Sequence, residues 1–390
     1  MNKPIYFDHA ATTPLDNDVF EKMRPFYTEN FGNADSLHSF GRKAQNAVDN
    51  ARDSVAELLG AKPSEIYFTS GGTESDNWAV LGGAYAAKKQ GKTHVLLSAI
   101  EHHAVLSAGE RLQKEGFDVE YLPVNKGGRV ELNEVLRRIK PNTGLIGVMA
   151  ANNETGALQP VQEIAKIARE NGCLFFTDCV QLAPHKKIDV VSLGADMISL
   201  SSHKFYGPKG CGVLYIKKGV AIEKLVAGGE QERGMRGGTL NVPNIVGFAA
   251  ALEKCQAEMS ANEQKLLSLR KIFIKEILKI QGAKINGEFQ EDCADGISSI
   301  VNVRFDGVEN AAFLYNMDLQ GVAVAAGSAC ASASLKPSHV LTAMNLTEEE
   351  AKTSVRFSFG KENTEEEILF VVEKVKEVVK KIKSAEKMRG

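Results

Sequence analysis

The chain has 390 residues, of which 43% are hydrophobic and 25% charged, enough apolar material for a sizeable core. Its 47 basic residues against 49 acidic ones leave a net charge of −2, without the basic excess of a nucleic-acid binder. No apolar run approaches the ~18 residues of a membrane span. Met1–Pro14 carries Asp8 and His9 in place of an apolar leader, so no signal peptide and a cytoplasmic location are expected.

In chain order, Arg42–Leu59 places Ala44, Ala47, Val48, Ala51, Val55, Leu58 and Leu59 on a helical stripe that Gly60 ends. Strand-like runs follow at Glu65–Thr69, His94–Ser98, Gly144–Ala150, Leu174–Thr177 and Met197–Leu200, separated by helical stretches such as Val161–Asn171. That alternation predicts an α/β fold with a mostly parallel central sheet flanked by helices. The pattern loosens after Cys255. A long helix over about Ala261–Ile280, a strand at Ser298–Arg304 and a last amphipathic helix at Glu365–Ile382 predict a smaller α+β C-terminal domain. The expected division is a large domain over 15–255 and a small one made of 1–14 and 256–390.

Six cysteines stand at 173, 179, 211, 255, 293 and 330 without a C-x-x-C pair, which argues against a zinc or dithiol site. Most should be small buried hydrophobes.

Ligands of an open α/β sheet bind beyond the carboxyl ends of its strands. Five stretches follow apolar runs or stand out in composition. Ser70-Gly71-Gly72-Thr73-Glu74-Ser75 joins a strand to a helix start suited to phosphate, or forms a simple Thr73–Asp76 capping box. Gly91-Lys92-Thr93 is not a Walker A loop, because Ala86 stands where its first glycine is required. Asp178 closes the run Leu174–Thr177, with Gln181 three residues on; a buried carboxylate there calls for a cation or for loop N–H donors. Ser201-Ser202-His203-Lys204 precedes a glycine-rich turn, a setting in which a lysine serves as nucleophile or Schiff-base partner. Glu101-His102-His103 offers an aromatic lid or an acid/base group, with no ligand-spaced carboxylate or cysteine to support a metal. Gly327-Ser328-Ala329-Cys330-Ala331-Ser332-Ala333-Ser334 reads equally as an accessible loop with a reactive thiol or as a buried small-residue segment.

Together these stretches resemble the class V, fold-type I enzymes that use pyridoxal 5'-phosphate (PLP), and within them the NifS/IscS-like cysteine desulfurases. The resemblance runs through Tyr6–Pro14, Gly71–Ser75, Asn152-Asn153-Glu154-Thr155-Gly156, Asp178 with Gln181, Ser202-His203-Lys204, Arg236-Gly237-Gly238-Thr239, Gly327–Cys330 and Arg356-Phe357-Ser358. It implies that Lys204 links covalently to PLP, that Asp178 pairs with the ring nitrogen and Gln181 with the phenolic oxygen, and that His102 stacks on the ring and shuttles protons. Gly72, Thr73, Ser201 and His203 would hold the phosphate, with Thr239 supplied by the second subunit of a homodimer. Asn153 and Arg356 would bind the carboxylate of L-cysteine. Cys330, on a mobile loop of about 321–336, would take the sulfur as a persulfide and pass it to an acceptor protein for iron–sulfur assembly or tRNA thiolation. Where relatives usually read Gly-Asn-Pro-Ser-Ser, this chain has Gly32-Asn33-Ala34-Asp35-Ser36.

Selenocysteine lyase, or another class V PLP enzyme, would share Lys204 but not depend on Cys330. A non-catalytic sulfur-relay scaffold would need neither. A dinucleotide-binding dehydrogenase lacks its G-x-G-x-x-G signature here.

Overall fold

The computed structural model describes residues 4–287, 293, 295–327 and 337–387. The chain enters through β1 (Ile5–Tyr6) and then builds a seven-stranded sheet. Its strands are β2 (Ile66–Thr69), β3 (His94–Ser98), β4 (Asp118–Leu122), β5 (Thr143–Gly147), β6 (Leu174–Asp178), β7 (Met197–Ser201) and β8 (Gly212–Ile216). The order across the sheet is β2-β8-β7-β6-β5-β3-β4, and only β8 runs against its neighbours. Helices cover both faces, and the two-residue period of a strand divides the apolar side chains between them. Phe175, Ile146 and Ile198 face one cluster; Phe176, Leu145 and Met197 face the other. This is why the strands are continuous apolar runs.

A second sheet, β12-β10-β9, is antiparallel and uses β9 (Ala283–Ile285), β10 (Ile300–Phe305) and, after β11 (Val322–Ala323), β12 (Ser354–Ser358). Its core gathers Phe273, Phe305, Phe313 and Phe357 with Val371, Val375 and Val379 of the last helix, Glu365–Lys387. β1 pairs with β11 and Asp8 bridges to Ser358, so the N-terminus belongs to this second core before crossing to the first at Ala10.

The long helix differs from its expected span. It runs from Val242 to Ile277, with Asn241 as cap and Pro243 in the first turn, so position 255 falls inside it. Its start buries Ile245, Phe248 and Leu252 in the first core, and its end buries Leu266, Leu269, Phe273 and Ile277 in the second. The polar stretch between these stripes hides the continuity of the helix in the sequence. Among the described residues no helix is long and apolar enough to cross a membrane. Among the described residues no disulfide joins the five cysteines, and all but Cys255 are buried.

Candidate active site

The carboxyl ends of β5, β6 and β7 meet at one sheet edge, where a cavity of about 800 Å³ opens. Gly72, Thr73, His102 and Asn153 line it, as do Asp178, Gln181, Ser201, His203, Lys204 and Arg356. Residues chosen from six separate stretches of sequence are therefore brought to one place by the topology.

At the end of β2 the chain turns through Ser70 and Gly71 into a helix that begins at Gly72. The Thr73 capping box does not form: Gly71 is the cap, without a side-chain bond, while Glu74 accepts from the Ser70 N–H and pairs with Arg236. The first N–H groups of the helix stay available for an anion. Gly72 is small for a reason, since a Cβ there would come within 3.0 Å of Val180.

Lys204 ends a short 3-10 turn after β7, and its Nζ lies 2.6 and 2.8 Å from the carbonyls of Ala10 and Ala11. His203 reaches Thr12 Oγ1 at 3.1 Å; burial and the Lys204 charge hold its pKa down at about 4. Ser202 is structural, donating to the Cys211 carbonyl at 2.9 Å.

Asp178 closes β6, and its Oδ1 accepts the Val180 N–H at 2.8 Å. Burial pushes its pKa up to about 6, against the pull of that N–H, of Lys204 and of the Ser199 hydroxyl. Gln181 is buried and its side-chain oxygen has no partner. His102 caps the helix His103–Lys114 by accepting the Ala104 N–H at 3.2 Å, and burial, aided by Lys204, lowers its pKa to about 4. It is a neutral ring at pH 7.

Arg356 lies on β12, 1% exposed, with Nη1 on the Asn153 carbonyl at 2.9 Å, Nη2 on Asp8 Oδ1 at 2.7 Å and Nε without a partner. The guanidinium is thus held by two groups while its Nε stays unpaired.

Cys330 lies outside the described residues. Both described flanks of its segment meet Glu154: Ser338 Oγ donates to Glu154 Oε2 at 2.6 Å, and a Cβ on Gly327 would sit 3.1 Å from that oxygen. Thr239 is exposed and does not line the cavity of its own chain. Its loop is tied down by the buried Arg52–Glu232 pair, at 2.7 and 2.8 Å, and by Arg236 on Glu74.

Three residues escaped sequence reasoning. Glu154 stood in a quoted motif without a role. Asp76 is a buried carboxylate lining the cavity, and Glu101 is a buried carboxylate whose charge bears on it; the first read as half of a capping box and the second as the neighbour of two histidines. At the opposite end of the sheet, His94, Asp118 and Glu120 cluster, but Lys140 occupies both carboxylates.

The residues present fit PLP. A lysine, a buried acid, a neutral imidazole, an unpartnered amide oxygen and an anion-ready helix start face one cavity, and each matches a different part of that cofactor.

Residues 5–371 match the family described as aminotransferase class-V, and the chain belongs to that family. The cysteine desulfurase IscS of Methanosarcina thermophila is 47% identical over 383 residues, covering 98% of this chain and 94% of that protein. That of Clostridium botulinum strain Hall is 46% identical over 381 residues, covering 97% and 95%. Among solved structures, a NifS-like protein superposes with a TM-score of 0.90 at 36% identity, covering 97% of this chain and 99% of that one. SspA in complex with cysteine gives 0.80 at 36% identity, covering 92% and 100%. Within the class, the chain groups with the NifS/IscS-like cysteine desulfurases.

Proposed function

We propose that this chain is a PLP-dependent cysteine desulfurase, converting L-cysteine to L-alanine and leaving the sulfur on Cys330 as a persulfide. The observation that carries the reading is the convergence of Lys204, Asp178, His102 and Arg356 on one cavity. When bound, PLP supplies an electron sink that acidifies the substrate Cα–H and weakens the C–S bond.

This chain's residues do the rest. Asp178 would pair as the anion with the ring nitrogen, Gln181 with the phenolic oxygen, and His102 would meet the ring face. Gly72, Thr73, Ser201 and His203 hold the phosphate. Lys204 would hold the cofactor, and its Nζ would move the substrate Cα proton. Arg356, with Asn153, lines the cavity and would take the substrate carboxylate. Cys330 Sγ then forms an S–S bond as the substrate C–S bond breaks, and the three-carbon remainder takes up a proton and leaves as alanine.

Two units, 15–255 and 1–14 with 256–390, would carry the cofactor and Cys330 respectively. A homodimer supplying Thr239 to the neighbouring cavity is supported by that residue's absence from its own, and by the exposed Tyr27, Phe31, Leu37 and Phe40. An acceptor protein in iron–sulfur assembly or tRNA thiolation, in the cytoplasm, completes the reading.

The test is alanine and sulfide production from L-cysteine with a reductant, on PLP-loaded wild type and Cys330→Ala. Turnover by wild type and none by a still-yellow variant supports the desulfurase. Sulfide from both, or from neither, overturns it.

A further inference from the structure

The cavity floor holds more acid than the reaction uses. Asp76 lies one turn inside the helix that starts at Gly72, is 2% exposed and lines the cavity together with Asp178. Its Oδ1 is 2.5 Å from Ser199 Oγ. Ser199 of β7 is the register partner of Asp178 of β6, so the two side chains lie on one face of the sheet, and the hydroxyl acts to lower the Asp178 pKa. One serine therefore stands between two buried carboxyl groups.

The surroundings are short of positive charge. Asp178 bears on Asp76 from the end of β6, Ser199 from β7 and Glu101 from the loop before His102. Glu101 is fully buried with one oxygen unpartnered, the other taking the Met149 N–H at 2.7 Å. Glu74, on the same helix, is engaged with Arg236. The cations acting on this group are Lys204, which bears on Asp178, and His102, which is neutral at pH 7. Among the described residues no cation pairs with Asp76. Two carboxylates sharing one hydroxyl in a dry floor cannot both ionise without a large cost.

A hydroxyl carries one proton and can donate it to one side only. With Asp76 protonated, the order runs from the Asp76 O–H to Ser199 Oγ, and from the Ser199 O–H to Asp178. With Asp76 ionised, the serine turns away from Asp178 and two anions face each other. Burial and the Asp178 charge both raise the pKa of Asp76, in keeping with the first order.

We propose that Asp76 is a positioning residue that keeps its own proton and, through Ser199, makes Asp178 the single negative charge offered to the cofactor ring. This rests on the PLP reading above.

The test is PLP binding to the full-length protein, followed by the visible band of the bound cofactor across pH, for wild type, Asp76→Asn, Asp76→Ala and Ser199→Ala. Asn presents the donor and acceptor of a protonated Asp at the same size. It is expected to hold PLP about tenfold more tightly than Asp76→Ala, the factor a lost buried hydrogen bond is worth. In Ser199→Ala, Asp178 loses its donor, so cofactor loss on acidification should begin at higher pH than in wild type, while Asp76→Asn keeps the wild-type midpoint. Asp76→Asn binding no better than Asp76→Ala, or a midpoint shifted in Asp76→Asn, means that Asp76 acts as an anion and overturns the proposal. A wild type that binds no PLP overturns the functional reading, and this inference with it. Near-ultraviolet dichroism of each variant separates misfolding from a change at the floor.

Discussion

Arg356 Nη2 lies 2.7 Å from Asp8 Oδ1, and Nη1 of the same guanidinium lies 2.9 Å from the Asn153 carbonyl. Asp8 bridges to Ser358 on the strand that carries Arg356, so one segment of the N-terminus both pairs with that strand and steers its arginine. A fully buried guanidinium with one partner removed is left badly compensated. Asp8→Asn should therefore raise KM for L-cysteine by about tenfold, the scale of one charge-assisted bond, with kcat within about twofold. Steady-state kinetics decide it, and an unchanged KM would show that Asp8 plays no part in aiming the fork.

Glu101 gives a pH signature in stability. Burial raises its pKa to about 8, well above an ordinary glutamate. The folded protein then holds a proton that the unfolded chain has released, so the contribution is present at low pH and is lost as pH rises through about 8. Glu101→Gln cannot titrate there. Its stability relative to wild type should rise by ~2 kcal/mol between pH 6 and pH 8. Urea melts at the two pH values measure this, and a gap constant with pH would mean that Glu101 is ionised in the fold.

His102 combines a flat face with a basic nitrogen, and one substitution separates them. His102→Phe keeps an aromatic surface for the cofactor and loses both the helix cap and the proton carrier. Cap loss costs about 1 kcal/mol of stability, whereas a lost general acid–base group lowers kcat by about a hundredfold or more. PLP affinity should stay within about tenfold. Retained turnover would assign the proton transfers elsewhere.

Glu154 meets both described flanks of the segment that carries Cys330. Glu154→Ala removes the acceptor of Ser338 Oγ and the wall behind Gly327. Persulfide formation on Cys330 should slow by about tenfold in a single-turnover labelling experiment, as for a misplaced reacting group, with PLP binding retained. Equal rates would mean that these flanks do not govern delivery.

The strands that were legible in the sequence are those buried on both faces: His94–Ser98, Leu174–Thr177 and Met197–Leu200 are mainly apolar because helices cover both sides. β4 was not legible. It lies at the sheet edge and alternates Asp118 and Glu120 with Val119 and Tyr121, too short a pattern to separate from a loop. β8 was masked by the glycines before it, and its strand Gly212–Ile216 owes its place to pairing on both sides. In the site, Asp178 and Lys204 could be singled out because one closes a buried strand and the other lies one short turn beyond the next. Asp76 and Glu101 could not, since their chemistry comes from neighbours distant in sequence, such as Ser199 and Met149. Local capping was the nearer explanation for Asp76, and the structure replaces it.

The helix Val242–Ile277, at ~1.5 Å per residue, is a rod of roughly 54 Å shared by two hydrophobic cores. Melting either core strips half of that rod of its buried stripe, and an isolated amphipathic half gains little from propensity alone. The two cores are thereby mechanically married: heat or denaturant should take them down in one cooperative step, and any swing of one core against the other must be taken up as torsion or bending of that rod.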